Sequence, residues 1–330
     1  MNRTLPVFCG ALGASILTTR FATRLARKLG VVDRPGPLKP QSLEVPYLGG
    51  TGVLAGLAVG AAASQPVLLV PMGMATALGT ADDYLDLPAS VRIAGQIAVG
   101  SAAALVVGTK IPSPFGQTLV AGTTVLLMNG LNLIDGLDGL AGGTSAVAAG
   151  ALALLLAQDG RLQATALAAG CLGFLVYNRP PARIYLGDGG SYLVGTAISL
   201  LLASAWRKGS EPQASVASLL LAAVPVAEVA FAVVRRRRAG SALFAGDRGH
   251  PYDRLVRRGW SRSAAAGVYV AAEAALAGVA LAAARSRSQA TPLVLAAAVT
   301  AGLFGLAAVT GMLEPEPDIP PDADPQTERG

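Results

Sequence analysis

Oxygen-bearing side chains gather in five short polar stretches of an otherwise apolar chain, at 33–50, 82–86, 129–139, 178–191 and 247–254, and the richest of them could hold a hard cation. It runs Asn129-Gly-Leu-Asn132-Leu-Ile-Asp135-Gly-Leu-Asp138-Gly. Asn129, Asn132, Asp135 and Asp138 follow one another at intervals of three, which on a helix stacks amide and carboxylate oxygens along one face. Glycines at 136, 139, 142 and 143 would end that helix and let backbone approach a ligand closely. Such oxygens suit magnesium, with manganese as a substitute, whereas zinc prefers His and Cys. An isolated Asn-x-x-Asn is more often a helix cap, but four oxygen side chains with flanking glycines reverse that reading.

The other stretches add complementary chemistry. Gly187-Asp188-Gly189-Gly190-Ser191 opens an apolar run, and free N–H groups at a helix N-terminus favour phosphate. Asp188 would repel a phosphate unless a cation lay between them, so the turn points to a metal–diphosphate complex; taken alone, such a turn is usually only a turn. Asp82-Asp83 closes another apolar run, and adjacent like charges raise one pKa, which suits a proton-abstracting base. A pair of solvated helix-end carboxylates is the bland alternative. His250 is the single histidine, and Arg248 and Arg254 beside it would suit a phosphate or diphosphate. Arg235 to Arg238 reads as a topology anchor against anionic lipid. Glu228 and Glu273 lie inside apolar runs, where acids are costly and are functional candidates or bundle-facing structural groups.

The elements that must position these groups are membrane spans. The chain has 330 residues, 52% of them hydrophobic and 14% charged, a balance unlike that of a soluble domain. Its two cysteines, Cys9 and Cys171, give no disulfide framework or zinc site and read as inert buried thiols. The net charge of +6 comes without an aromatic-interleaved basic patch, so nucleic acid is not an expected partner. Apolar runs occur near 4–19, 47–64, 66–80, 92–109, 116–131, 144–158, 161–177, 190–206, 213–234, 263–284 and 291–312. They predict an all-α, polytopic membrane protein of about 11 transmembrane helices, many rich in the small residues that allow close packing in lipid. The first run is read as a span and not as a removed signal peptide. With the N-terminus outside, 19 of the 26 Lys and Arg fall on the cytoplasmic side, as the positive-inside bias requires. All five polar stretches then face the cytoplasm and could form one cleft. Residues 1–312 read as a single membrane domain, and 313–330 as an acidic, proline-rich, disordered tail.

These motifs resemble the polyprenyl-phosphate N-acetylhexosamine-1-phosphate transferases over about residues 25–262. The pieces are Val32-Asp33-Arg34-Pro35 with Val45-Pro-Tyr-Leu-Gly-Gly50; Asp82-Asp83 with Arg92 and Gln96; Asn129 to Gly143; and Gly173-Phe-Leu175, Asn178 and Pro181 to Ser191. The resemblance implies transfer of a sugar 1-phosphate, foremost N-acetylglucosamine 1-phosphate, from a UDP-sugar to a polyprenyl phosphate. UMP would be released and magnesium required, at a multi-pass cell membrane. It implies that Asn132 and Asp188 contact the metal, and that Asp82 deprotonates the lipid phosphate with support from Asp83. Asp135 and His250 would complete the catalytic set. Substrate-binding positions would be Lys39, Asn129, Asp138, Asn178, Arg183, Arg248 and Arg254. A homodimer is compatible with the resemblance, and membrane lipids are expected partners.

The chain departs from the family pattern in two loops. His250-Pro251-Tyr252-Asp253 stands where members usually carry His-x-His-His, which leaves the sugar open. Asp253 is expected to pair with Arg248, Arg254 or Arg257, and histidines restored at 252 and 253 are expected to be tolerated or to alter sugar preference. The early loop keeps only Lys39 of the usual Arg-Lys-x-His run. Three readings compete with the main one: a phospho-MurNAc-pentapeptide transferase within the family, a transporter from another class, and a degenerate member serving as a lipid-binding or scaffold protein, against which the retained Asp82-Asp83 and Asp188 weigh. Absence of an internal repeat and the placement of acids at span ends weigh against the transporter.

Overall fold

The computed structural model describes residues 3–33, 44–107, 113–206, 211–242, 249–288 and 290–314. Lys39 and Arg248 lie outside these residues, as does the acidic tail from 315 onward.

Each apolar run forms a helix. The chain begins with α1 (Thr4–Leu29), which Gly30 ends in a left-handed conformation. A two-residue antiparallel pair follows, β1 (Val32–Asp33) and β2 (Val45–Pro46), with Val32 opposite Pro46. Next come α2 (Gly50–Ala63), α3 (Leu69–Leu85), α4 (Ala89–Val106) and α5 (Ser113–Ile134). Then follow α6 (Leu140–Leu155), α7 (Gln158–Asn178) and α8 (Gly187–Ala205). A 3₁₀ stretch, Leu219–Ala222, interrupts the run from α9 (Pro212–Ser218) into α10 (Ala223–Arg238). The remaining helices are the short α11 (Pro251–Arg257), α12 (Arg262–Ala284) and α13 (Ala290–Val309).

Among the described residues, 6 helical segments are long and apolar enough to cross a membrane: Thr4–Leu29, Ala89–Val106, Pro114–Ile134, Pro212–Arg238, Arg262–Ala284 and Ala290–Val309. α2 and α6 are apolar but shorter. Polar residues such as Asp82 and Asp83 in α3, Arg161 in α7 and Asp188 in α8 dilute the remaining runs.

α8 is the axis of the bundle, buried at nearly every position from Gly189 to Ala205. Small residues let its neighbours come close, as lipid-embedded helix contacts favour. A Cβ on Gly79 of α3 would lie 2.2 Å from the Asp188 carbonyl oxygen, and one on Gly195 would lie 2.6 Å from the backbone of Leu127 in α5. A buried Thr124–Ser199 hydroxyl pair at 2.8 Å adds a polar link between α5 and α8. α1 joins α7 through Ser15 Oγ, which donates to the Gly170 carbonyl at 2.7 Å. Packing of this kind fixes α3, α5 and α8 in register, and all three carry site residues at the same end. Cys171 is buried as expected, but Cys9 is exposed, because its face of α1 has no protein neighbour. Leu313 is buried and Glu314 pairs with Arg238 at 2.6 Å, so the packed domain extends past 312.

Candidate active site

Backbone pairing builds the frame of the site. Tyr185 N donates to Pro46 O at 2.7 Å, Gly49 N to Tyr185 O and Gly50 N to Leu186 O, both at 3.0 Å. The stretch 45–50 is therefore a splint laid against the approach to α8. At Gly187 the chain takes φ +75°, and a Cβ there would sit 2.5 Å from Tyr47 O and 2.8 Å from Asp83 Oδ2; only glycine fits such a turn without strain. The first amides of α8 then meet a carboxylate. Asp188 N donates to Asp83 Oδ1 at 3.1 Å and Gly189 N to Asp83 Oδ2 at 3.3 Å. The anion held by this helix N-terminus is Asp83, not the phosphate expected from the turn alone. α3 places Asp83 close enough to occupy those donors, and the helix dipole favours its charge.

Asp82, one residue earlier, is buried and held differently. Tyr192 OH donates to its Oδ2 at 2.9 Å, Leu87 N donates to Oδ1 at 3.2 Å, and Arg92 lies 3.5 Å from Oδ2. These contacts engage both oxygens of the carboxylate and fix its orientation. On the facing helix, Asn132 Nδ2 donates to Asp188 Oδ1 at 2.5 Å and reaches Ser191 Oγ at 3.4 Å. The two residues expected at a metal are thus in direct contact. Asp135 follows the end of α5. Burial, then the charges of Asp188, Asp83 and Asp138, raise its carboxyl well above the ordinary carboxylate range, as a crowd of like charges in low dielectric must.

The remaining predicted residues divide between site and scaffold. Asp138 Oδ2 accepts from Ala182 N at 2.9 Å. Asn178, buried, accepts from Gly139 N through Oδ1 and donates to Ile184 O through Nδ2, both at 2.9 Å. It clamps the 135–139 turn to the 178–187 loop, with both ends of its amide on backbone. Asn129 shares the face of Asn132 but lies a turn deeper, where its Nδ2 donates to Gln96 Oε1 at 2.7 Å and to Val125 O at 2.8 Å. Asn129 is half-buried, and its bond to Gln96 of α4 makes it an interhelical tie between α4 and α5. Arg183 is exposed at the rim. Beside Asp138 an open groove of about 460 Å³ runs between the end of α7 and the first half of α12. Leu175, Val176, Pro180 and Val270 make it largely apolar, with Arg179 at its edge.

The altered loop turns inward. His250 Nδ1 lies 3.0 Å from Glu228 Oε2, and its ring stacks on Tyr252 with centroids 5.2 Å apart and planes 4° apart. Tyr252 OH donates to Leu133 O at 2.9 Å, one residue from Asn132. A Cβ on Gly136 would come within 2.2 Å of that hydroxyl. Tyr252 is therefore a core residue wedged against the 132–136 turn, and a histidine there would be too short to reproduce both contacts. The expectation that Tyr252→His is tolerated gives way to one of loosened packing. Arg254 also turns to backbone. Its Nε, Nη1 and Nη2 donate to the carbonyls of Gly249, Gly311 and Glu314 at 3.1, 2.7 and 2.6 Å. Its guanidinium ties the loop to the end of α13.

The structure brings Asp82, Asp83, Asn132, Asp135, Asp138 and Asp188 together at one end of the bundle. Tyr192 and Tyr269 are partners that motif spacing did not assign to this site, and Gln96 and Glu228 gain partners that it did not give them. Tyr192 directly follows Ser191 in the glycine turn, and its place within the next helical turn was the available signal. Among the described residues, no three His, Cys, Asp or Glu side chains form a ready metal cage. The donors that do converge, a carboxylate and an amide, suit magnesium, which takes one or two protein oxygens and keeps water or phosphate for the rest.

Residues 66–206 match Glycosyl transferase family 4. The chain is 30% identical over 287 residues, 79% of each chain, to a probable undecaprenyl-phosphate N-acetylglucosaminyl 1-phosphate transferase of Bacillus subtilis. It is 28% identical over 73% of each chain to an undecaprenyl-phosphate alpha-N-acetylglucosaminyl 1-phosphate transferase of Yersinia pestis, and 27% identical over 78% to the same enzyme of Escherichia coli K12.

Proposed function

The chain belongs to glycosyl transferase family 4, and from that premise we propose that it moves N-acetylglucosamine 1-phosphate from a UDP-sugar onto a polyprenyl phosphate. The observation that carries the reading is the contact of Asn132 with Asp188 amid carboxylates from α3 and the 135–138 turn. Such a cluster is electrostatically unfavourable without a cation and suits a metal-bound diphosphate.

Asp188 and Asn132 would hold magnesium, or manganese in its place, which supplies charge neutralisation at the diphosphate. Asp83 keeps Asp188 in place by tying down the first amides of α8. Asp82 would take the proton of the lipid phosphate, its carboxylate oriented by Tyr192 and Arg92. A lipid phosphate oxygen then attacks the sugar-bearing phosphorus, the bond to the uridylyl phosphate breaks, and UMP leaves with the electron pair. In-line transfer of this kind needs positioning and charge stabilisation more than covalent help from the protein. The product is a polyprenyl-diphosphate sugar.

The reading further places about 11 spans in the membrane, the N-terminus outside and the cleft toward the cytoplasm. The basic ends of α1 and α10 and the exposed Arg179 and Arg183 support that orientation. Cysteine labelling near Gly136 and Gly249 should find both reactive from the cytoplasmic face; labelling from opposite faces would overturn it. The test of the activity is UMP release by purified protein from UDP-N-acetylglucosamine, with polyprenyl phosphate and magnesium each withheld in turn.

A further inference from the structure

We infer that Glu228, deep in α10, is a positioning residue that sets which edge of the His250 ring faces the substrates. This rests on the transfer reaction proposed above. Glu228 is 2% exposed and His250 4% exposed, so neither side chain exchanges partners with bulk water. Each oxygen of Glu228 has its own partner: Tyr269 OH donates to Oε1, and His250 Nδ1 faces Oε2 at 3.0 Å. Where Glu228 stands as a carboxylate both of its oxygens accept, and Nδ1 is then the donor of this pair. The opposite edge of the ring, Nε2, is then the atom that can meet a phosphate oxygen.

The ring is also fixed in its plane. It stacks on Tyr252, whose hydroxyl reaches Leu133 O at 2.9 Å, and Tyr252 in turn packs edge-on against Tyr269 at 6.0 Å. Glu228, Tyr269, Tyr252 and His250 thereby make one block spanning α10, α12 and α11. That block ends on the carbonyl between Asn132 and Ile134. A buried acid inside an apolar helix is costly, and in this chain its two hydrogen bonds are spent on orienting the imidazole and the tyrosine that brace this loop. The arrangement matches the general rule that an imidazole used at one nitrogen is oriented through the other.

A double-mutant cycle tests the inference on full-length purified protein, with UMP release as the readout. Glu228→Gln keeps the size of the side chain and an acceptor for Tyr269 but no longer demands a proton on Nδ1. It is expected to lower kcat about 10- to 100-fold, the range seen when an imidazole loses its orienting partner, with the KM for UDP-N-acetylglucosamine nearly unchanged. In a His250→Ala background the same change should cost nothing further. Equal losses in both backgrounds would show that Glu228 acts independently of His250 and overturn the inference, as would full activity of Glu228→Gln. If Glu228→Gln does not fold, Glu228→Asp, which keeps the charge but shortens the reach, takes its place in the cycle with the same expectation. An inactive wild-type protein would instead overturn the transfer reaction, and this inference with it.

Discussion

The two sides of the site are held by different means. On the α3–α5–α8 side, backbone sets the geometry: amides of Asp188 and Gly189 grip Asp83, amides of Gly139 and Ala182 grip Asn178 and Asp138, and missing Cβ atoms allow the approach. On the α10–α13 side, long side chains do the work: Glu228, Tyr252 and Tyr269 brace His250, while Arg238, Arg254 and Arg258 donate to carbonyls at the end of α13. Backbone-set geometry leaves few acceptable residues at each position, so it shows as a dense motif. Side-chain-set geometry can be rebuilt from other residues, and the altered stretch from His250 to Asp253 lies on this side.

That contrast predicts unequal sensitivity. The largest effect should follow Asp188→Ala. It removes the carboxylate that Asn132 touches and should lower turnover about 100- to 1000-fold, typical for loss of one well-placed electrostatic contact. Folding yield should fall far less; a variant with near-normal turnover would remove Asp188 from the metal. Next comes Gly79→Ala. Its new methyl would meet Asp188 backbone, which cannot yield, so overpacking should cost about 1–3 kcal/mol or more and appear as a lower melting temperature in detergent. An unchanged melting temperature would mean that the α3–α8 contact is looser than described.

Asn178→Ala separates scaffold from ligand contact. It strands the Gly139 N–H and the Ile184 carbonyl, at about 1–3 kcal/mol for each buried group left without a partner. Stability and kcat should therefore fall together, whereas a pure rise in the KM for UDP-sugar would mark Asn178 as a substrate contact. The smallest effect belongs to the side-chain-set half. Tyr252→Phe removes one hydrogen bond to Leu133 O, about 0.5–1.5 kcal/mol, and keeps the stack on His250. Tyr252→His should be worse, because it also leaves a gap over Gly136. Equal behaviour of the two variants would mean that the hydroxyl alone matters.

Much of the first half was legible from sequence. Intervals of three in Asn129 to Asp138, the glycine turn at 187–190 and the paired acids at 82–83 each mark a local constraint, and the structure brings these stretches together. Depth was not legible. Asn129 shares the face of Asn132, yet a full turn separates them along the helix axis, and only the position of Gln96 on α4 shows which of the two ties α4 to α5. Nor could local pattern show that Asp83 occupies the amides of α8, since that meeting joins residues more than a hundred positions apart. Arg254 looked like a phosphate ligand because His250 stands near it; its partners at the end of α13 lie nearly sixty residues away. Long-range partners of flexible side chains are what a single sequence hides.

The central claim is that the converging carboxylates serve a metal-dependent transfer to lipid phosphate. The most direct measurement is UMP release by the purified protein given UDP-N-acetylglucosamine, polyprenyl phosphate and magnesium. The account predicts release that stops when the lipid phosphate is omitted or EDTA is added, and that returns when magnesium is restored. UMP release that persists without lipid phosphate and in the presence of EDTA, or no release with every component present, would contradict it.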